Sequence, residues 1–480
     1  MQDALELPLN GPWIAAPGNG TDMVNPASGA VLLSVNFGDA KDIRDAARRA
    51  RKAQISWFSL PFDARATVLR KAADLMESNA DFYIGWLMRE TGSAGGKAGF
   101  EVSIVVKALR EAAAMPSQPA GLVLPSDHGR LSFCRRMPLG VIGVISPFNF
   151  PMYLGLRAVA PALAVGNAVV LKPDPRTTIS GGLLMQQLFT AAGLPEDVLT
   201  VVPGGGEAGE ALCIDPNIAM IQFTGSTAVG RKIGALAGGH LKKLSLELGG
   251  KNSLIILDDA DLDIAASNIA WGSYLHQGQI CMASGRILVQ ESIYDALVEK
   301  LVAKANALPM GDAAGGQGAL GPLINQAQVD RALAIIGDTV AAGASLKAGG
   351  TADGLFLAPT VLVDVTPAMR AFKDEMFAPV ALLTPFKNDE DAIGLANDTE
   401  YGLSAGVISS SVGRAMALGA KLNTGLLHIN DQTVADDVVN PFGGRGQSGN
   451  GTSIGGPANW DEFSQWQWVT IRGAAPAYPF

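Results

Sequence analysis

From Gly140 onward the chain repeats one pattern: a short apolar run rich in Val and Ile, a turn signal, then a helical stretch. The runs are "GVIGVISP", "AVVLKP", "VLTVVPG" and "IAMIQFTGS", and helical stretches such as "TTISGGLLMQQLFTAAGLP" and "TAVGRKIGALAG" separate or follow them. A strand that is apolar on both sides must be covered on both sides. Alternation with helices is the arrangement of a parallel sheet with crossover connections. Residues 140–247 are therefore expected to form an α/β, Rossmann-like nucleotide-binding unit. Such sheets take their ligand at the carboxyl ends of the strands.

A second α/β series begins near Ser253. "NSLIILDD", "ASLKAGG", "LAPTVLVDV", "APVALLTPF", "LSAGVISS" and "TGLLHIND" read as strands, with helices over 291–308, 325–343, 388–397 and 411–422. Ahead of both series, 39–57 and 63–90 carry apolar positions at helical spacing, with Asp39 and Asp63 as expected N-caps. Two stretches fit neither series. Residues 120–139 and the C-terminal "FSQWQWVTIR" alternate apolar and polar residues, as an exposed hairpin and an exposed strand would. Each needs an edge to pair with, and another subunit is a natural source of one.

At 480 residues the chain is too long for one ordinary core, so two or three domains are expected. With 48% hydrophobic and 17% charged residues, general disorder is excluded. The net charge of −9 leaves no basic footprint for nucleic acid and disfavours anionic lipid. The longest apolar runs, such as Pro161 to Leu171, are too short and glycine-broken to span a bilayer, and "MQDALELPLN" lacks the pattern of a signal peptide. Three cysteines at wide spacing, Cys134, Cys213 and Cys281, form neither a disulfide framework nor a zinc pattern and suit a reducing cytoplasm. Four histidines without an HExxH-like pair give no reason to expect a metal.

Five stretches carry residues able to do chemistry. In "HQGQICMASGR", Cys281 sits among polar and glycine residues, whereas a structural cysteine usually sits among apolar ones. On local composition alone it is equally an inert thiol or a nucleophile. In "SPFNFP", Asn149 follows a strand between prolines, where its amide can be aimed at one point as an oxyanion donor or can serve an Asx-turn. Lys172 ends the next strand, and "FTGSTAVG" is a strand-to-helix turn able to receive phosphate. In "SLELGGK", Glu247 lies between leucines, a setting that raises a carboxyl pKa toward that of a general base. A half-buried acid paired with Lys243 or Lys251 reads equally well.

Taken together, "PFNFP", "LKP", "FTGS", "LELGGK", "GQIC", "EMFAP" and "PFGGRGQSG" resemble the aldehyde dehydrogenase superfamily, in order and spacing, over essentially the whole chain. The resemblance implies an α/β fold with a Rossmann-like cofactor domain (1–119 and 139–248), a second α/β catalytic domain (249–449) and a small β oligomerisation element (120–138 and 450–480). It implies that Cys281 is the nucleophile, Asn149 the oxyanion donor and Glu247 the base. The cofactor contacts it implies are Ser146, Phe148, Lys172, Gly205, Gly209, Phe223, Gly225, Ser226, Val229, Leu248, Glu375 and Phe377. NAD is the implied cofactor, and a homodimer or homotetramer the implied assembly.

Within the family, "ETGSAGGKAGFEV", "LHQGQICM", "KPDPRT" and "LLHINDQTVADD" look most like benzaldehyde and vanillin dehydrogenases, so an aromatic aldehyde is the expected substrate. Phe150, Tyr153, Leu154, Ile280, Met282 and Phe442 are expected to line its tunnel, with Arg157 one helical turn beyond Tyr153. The alternatives are an aliphatic aldehyde or semialdehyde, or release of the acyl group to coenzyme A. Three departures stand out. Ala378 occupies a usual glycine position in "EMFAP". Thr452 and Ser453 stand where many members have an acidic pair, so Glu247 is expected to carry deacylation alone. Pro175 stands where many NAD-preferring members have Glu, with Asp174 expected to face away, so NADP should be tolerated.

Overall fold

The computed structural model describes residues 11–16, 18–316 and 318–480. The N-terminal ten residues, with the absent leader pattern and the start of the expected first domain, lie outside the described residues. After an antiparallel pair, β1 (Thr21–Val24) and β2 (Val31–Val35), come four helices: α1 (Ala40–Ser59), α2 (Phe62–Ser78), α3 (Ala80–Thr91) and α4 (Gly95–Ala114). Asp39 caps α1 as expected, accepting from Lys41 and Asp42 in a reciprocal capping box. The expected helix 63–90 is two helices. Asn79, at φ −118 and ψ 28, breaks it. Pro61 holds the N-cap position of α2, so Asp63 is in the first turn instead of being the cap. Its charge still faces the positive helix end.

The hairpin expected at 120–139 is β3 (Gly121–Leu124) and β4 (Arg130–Pro138). Its other neighbour is the C-terminal strand Ser464–Arg472, paired along all of β4. The two stretches that fit neither series therefore satisfy each other within one chain, and no second subunit is needed for that pairing.

The first parallel sheet contains β5 (Val141–Ile145), β6 (Ala168–Lys172), β7 (Leu199–Val201), β8 (Ile218–Thr224) and β9 (Lys243–Glu247), in the order β7-β6-β5-β8-β9. Between them run α5 (Pro151–Val165), α6 (Leu184–Ala192), α7 (Gly206–Ile214) and α8 (Thr227–Gly239). The continuous apolar runs are explained by two cores. Ile142, Val144, Val169 and Leu171 pack with α5 and α6, while Val141, Ile145 and Val170 pack with α1, α7 and α8. The chain leaves the centre through β6 and β7, then returns on the other side at β8. The carboxyl ends of β5 and β8 therefore open a crevice.

The second sheet has seven strands, in the spatial order Ser345–Ala348, Thr360–Val363, Val380–Phe386, Arg286–Gln290, Ser253–Ile256, Ser404–Ile408, Leu426–Ile429. All neighbours are parallel except the first pair. The strand Arg286–Gln290 and the helix Leu262–Tyr274 were missed in the sequence. Both adjoin the Cys281 segment in sequence, and the apolar run "ILV" in Arg286–Gln290 is only three residues long beside that polar stretch. No helix among the described residues is long and apolar enough to cross a membrane.

Candidate active site

A cavity of about 700 Å³ occupies the carboxyl ends of the first sheet. Cys281, Asn149 and Glu247 all line it, as does every residue of the expected cofactor set: Ser146, Phe148, Lys172, Gly205, Gly209, Phe223, Gly225, Ser226, Val229, Leu248, Glu375 and Phe377. They come from the ends of β5, β6, β8 and β9 and the turns after them, the first turns of α7 and α8, and two segments of the second half, at Cys281 and over 375–377. The tertiary fold thus brings together residues spread from Ile145 to Phe377.

The Cys281 loop is held by backbone that few residues adopt. His276 and Gln277 have positive φ, at 49° and 57°. At Gly278, also at positive φ, a Cβ would collide with the Ala378 carbonyl oxygen, so only glycine fits. Asn252 Nδ2 donates to the carbonyls of Cys281 and Ala283, at 2.8 and 2.9 Å. Thr433 donates to the Met282 carbonyl at 2.6 Å. Asn149 donates one amide hydrogen to the Gln279 carbonyl at 2.8 Å, which leaves the other for a ligand. Burial, with the nearby charges of Glu375 and Glu247, pushes the Cys281 thiol up to about 12. Glu247 at the end of β9 is buried, and neither carboxylate oxygen has a hydrogen-bond partner among the described residues. Burial holds its pKa well above the usual carboxylate range, partly offset by Arg157.

Glu462, on the short helix Ala458–Phe463, is buried, and its negative charge adds to the upward shift of Glu247. Its Oε1 is unpartnered among the described residues, and burial pushes its pKa up to about 7.

Asp174 also differs from expectation. The alternation of β6 ends at Lys172, and the following turn puts Asp174, Pro175 and Arg176 together on the cavity wall. Arg176 binds Asp174 through Nε and Nη2, at 2.8 and 2.7 Å, and lies 4.1 Å from the centre of the Phe148 ring. Lys172 donates to the carbonyls of Pro173 and Gly204, and burial lowers its pKa to about 8. Lys232, Gln328 and Arg331 line the same cavity and were missed, since no local motif marks them.

Of the expected substrate residues only Leu154 is on this cavity wall. Phe150, Tyr153, Ile280, Met282 and Phe442 pack with Cys281 in the adjoining apolar cluster. Arg157 is buried among them and spent on Asp436. Its Nη1 donates to Asp436 Oδ2 at 2.8 Å, Tyr153 donates to the same oxygen at 3.2 Å, and the guanidinium stacks 4.4 Å from the centre of the Phe442 ring.

These residues fit a dinucleotide. The cavity has the size of a cofactor site. Ser146 Oγ is buried on its wall with no partner, and the N-termini of α7 and α8 open at Gly205 and Ser226, as phosphate requires. Gly249 leaves the Glu375 carboxylate room that a Cβ would take, at 2.5 Å.

The sequence model described as "Aldehyde dehydrogenase family" matches residues 13–469. A vanillin dehydrogenase of Amycolatopsis sp. is 48% identical over 98% of this chain and 97% of its own length. A benzaldehyde dehydrogenase (NAD(+)) of Pseudomonas putida is 44% identical over 98% of this chain and 96% of its own. Among solved structures, a salicylaldehyde dehydrogenase from Pseudomonas putida G7, complexed with salicylaldehyde, superposes with a TM-score of 0.92 at 36% identity, covering 96% of each chain. A betaine aldehyde dehydrogenase from Staphylococcus aureus in complex with NAD+ gives 0.94 at 28% identity, covering 98% of this chain and 95% of that one.

Proposed function

The chain belongs to the aldehyde dehydrogenase family, and from that premise we propose that it oxidises a benzaldehyde-type aromatic aldehyde to the carboxylic acid with NAD. The observation that carries this reading is the convergence of a thiol, an amide donor and an unpartnered carboxylate on one cavity at the carboxyl ends of a parallel sheet. Cys281, as thiolate, attacks the aldehyde carbon. The side-chain amide of Asn149 and the backbone N–H of Cys281 hold the oxyanion, where losing one donor typically raises the barrier by about 3–4 kcal/mol. The bound dinucleotide supplies the acceptor for the hydride. Cys281 is then left as a thioester, Glu247 takes a proton from water, and the resulting hydroxide cleaves the thioester to the acid. Ser146, Phe148, Lys172, Gly205, Gly209, Phe223, Gly225, Ser226, Val229, Leu248, Glu375 and Phe377 would hold the dinucleotide.

The relatives named for vanillin, benzaldehyde and salicylaldehyde support the aromatic class. So does Arg157: its charge is matched by Asp436, so this cation of the apolar cluster around Cys281 is not free for the carboxylate of a semialdehyde. We further assign 1–119 and 139–248 to cofactor binding, 249–449 to catalysis, and 120–138 with 450–480 to assembly as a homodimer or homotetramer in the cytoplasm.

The test is a substrate panel read by absorbance of the reduced nicotinamide. Benzaldehyde should give the highest kcat/KM, because a charged semialdehyde would bury an unpaired carboxylate. A higher value for succinate semialdehyde would refute the aromatic reading, and acyl transfer to added coenzyme A in place of hydrolysis would refute the hydrolytic one. Cys281→Ala should fold, bind NAD and lose turnover by orders of magnitude, whereas Cys134→Ala and Cys213→Ala stay active.

A further inference from the structure

The segment "ETGSAGGKAGFEV" contributes a charge pair that the mechanism above does not use. On α4, Lys97 and Glu101 are one helical turn apart, with side chains 1% and 0% exposed. Lys97 Nζ donates to Glu101 Oε2 at 2.6 Å and to the backbone carbonyl of Asn149 at 2.7 Å. It also sits 4.1 Å from the centre of the Phe150 ring. The other Glu101 oxygen accepts the N–H groups of Met152 and Tyr153, at 2.9 and 3.1 Å. Those donors belong to the first turn of α5, whose own N-cap, Phe150, offers no side-chain acceptor. The pair therefore grips the backbone on both sides of Phe150. One end is the residue that carries the oxyanion amide, and the other is the helix that carries Tyr153, Leu154 and Arg157.

A buried ion pair returns little net stability, because desolvation consumes its attraction. What it does supply is fixed geometry, since both charged groups are tied to backbone as well as to each other. One Asn149 amide hydrogen is already held by the Gln279 carbonyl. The aim of the other then depends on where the Asn149 backbone is held, and Lys97 holds it.

We propose that Lys97 and Glu101 are positioning residues that aim the Asn149 amide at the oxyanion formed on Cys281. This rests on the reading of Asn149 as oxyanion donor. A displacement of about 1 Å in a catalytic group costs on the order of a hundredfold in rate, so a small slackening of this backbone is measurable.

The test is a double-mutant cycle on the full-length enzyme. In Lys97→Met/Glu101→Gln the glutamine oxygen still caps α5, no charge is left unpaired, and the donor to Asn149 is gone. The kcat for benzaldehyde should fall by about tenfold or more, with aldehyde KM and NAD affinity within about twofold. In an Asn149→Ala background the same two substitutions should cost less than about twofold, because nothing remains to be aimed. Equal losses in both backgrounds, or wild-type kcat in the double variant, would overturn the positioning role and leave the oxyanion assignment standing. Wild-type turnover by Asn149→Ala alone would overturn the oxyanion assignment, and this role with it. Lys97→Met alone, which removes the donor to Asn149, goes through the same cycle if the double variant does not fold, with the same non-additivity expected and the same additive result refuting the positioning role.

Discussion

Burial raises the pKa of both Cys281 and Glu247, yet the proposed chemistry uses both deprotonated. The two demands separate experimentally. Glu247→Gln should give one burst of reduced nicotinamide per site and then stall as the thioester. Loss of the burst in a folded variant would mean that Glu247 also activates Cys281. The pH dependence follows from sign. A base with a raised pKa loses its proton only as pH rises, so turnover should fall on the acid side at a pH above the ordinary carboxylate range. Glu462 contributes to that elevation through its negative charge. Glu462→Gln removes the charge, favours ionised Glu247, and should move the acid limb of the kcat profile to lower pH. An unmoved limb would show that the two carboxylates are not coupled in the working enzyme.

At the level of elements, the turn after β6 is where the adenosine side of the cofactor is expected to be read. A glutamate at position 175 would repel a 2′-phosphate. Two charges about 4 Å apart at an effective dielectric near 20 interact by roughly 4 kcal/mol before screening. Pro175 supplies no such repulsion, and Asp174, although on the wall, is occupied by Arg176. NADP should therefore be accepted alongside NAD. Arg176→Ala should lower kcat/KM for NADP more than for NAD, and Pro175→Glu should restore discrimination. A wild-type preference for NAD above about a thousandfold, near 4 kcal/mol, would show that another group rejects the phosphate.

For the whole molecule, the three-stranded sheet is the surface that needs an explanation. Val123 is 80% exposed, Leu131 and Ile471 face each other in register at half exposure, and Leu122 and Trp468 are exposed on the opposite face. Exposed apolar sheet with free edges invites burial by another copy. Val123→Glu should shift the species seen by light scattering toward smaller assemblies while leaving the fold intact by circular dichroism. An unchanged mass would place the subunit interface elsewhere.

The sequence alone was enough for the parallel α/β character, because a strand buried on both faces has to be apolar at every position, and that pattern is local. It was enough for Cys281, Asn149 and Glu247 as candidates, since each sits in a short stretch whose composition conflicts with plain packing. Position at a strand end also marked Lys172, Gly225 and Ser226, whereas the other cofactor residues on the cavity wall were legible only through the family resemblance. Tertiary structure alone decided the rest. The pairing of β4 with Ser464–Arg472, the capture of Arg157 by Asp436, the charge of Glu462 raising Glu247, and the grip of Lys97 on Asn149 all join residues far apart in the chain. Periodicity and local composition carry no information about such partners. A buried charge is defined by what lies opposite it, and that is settled only when the chain has folded.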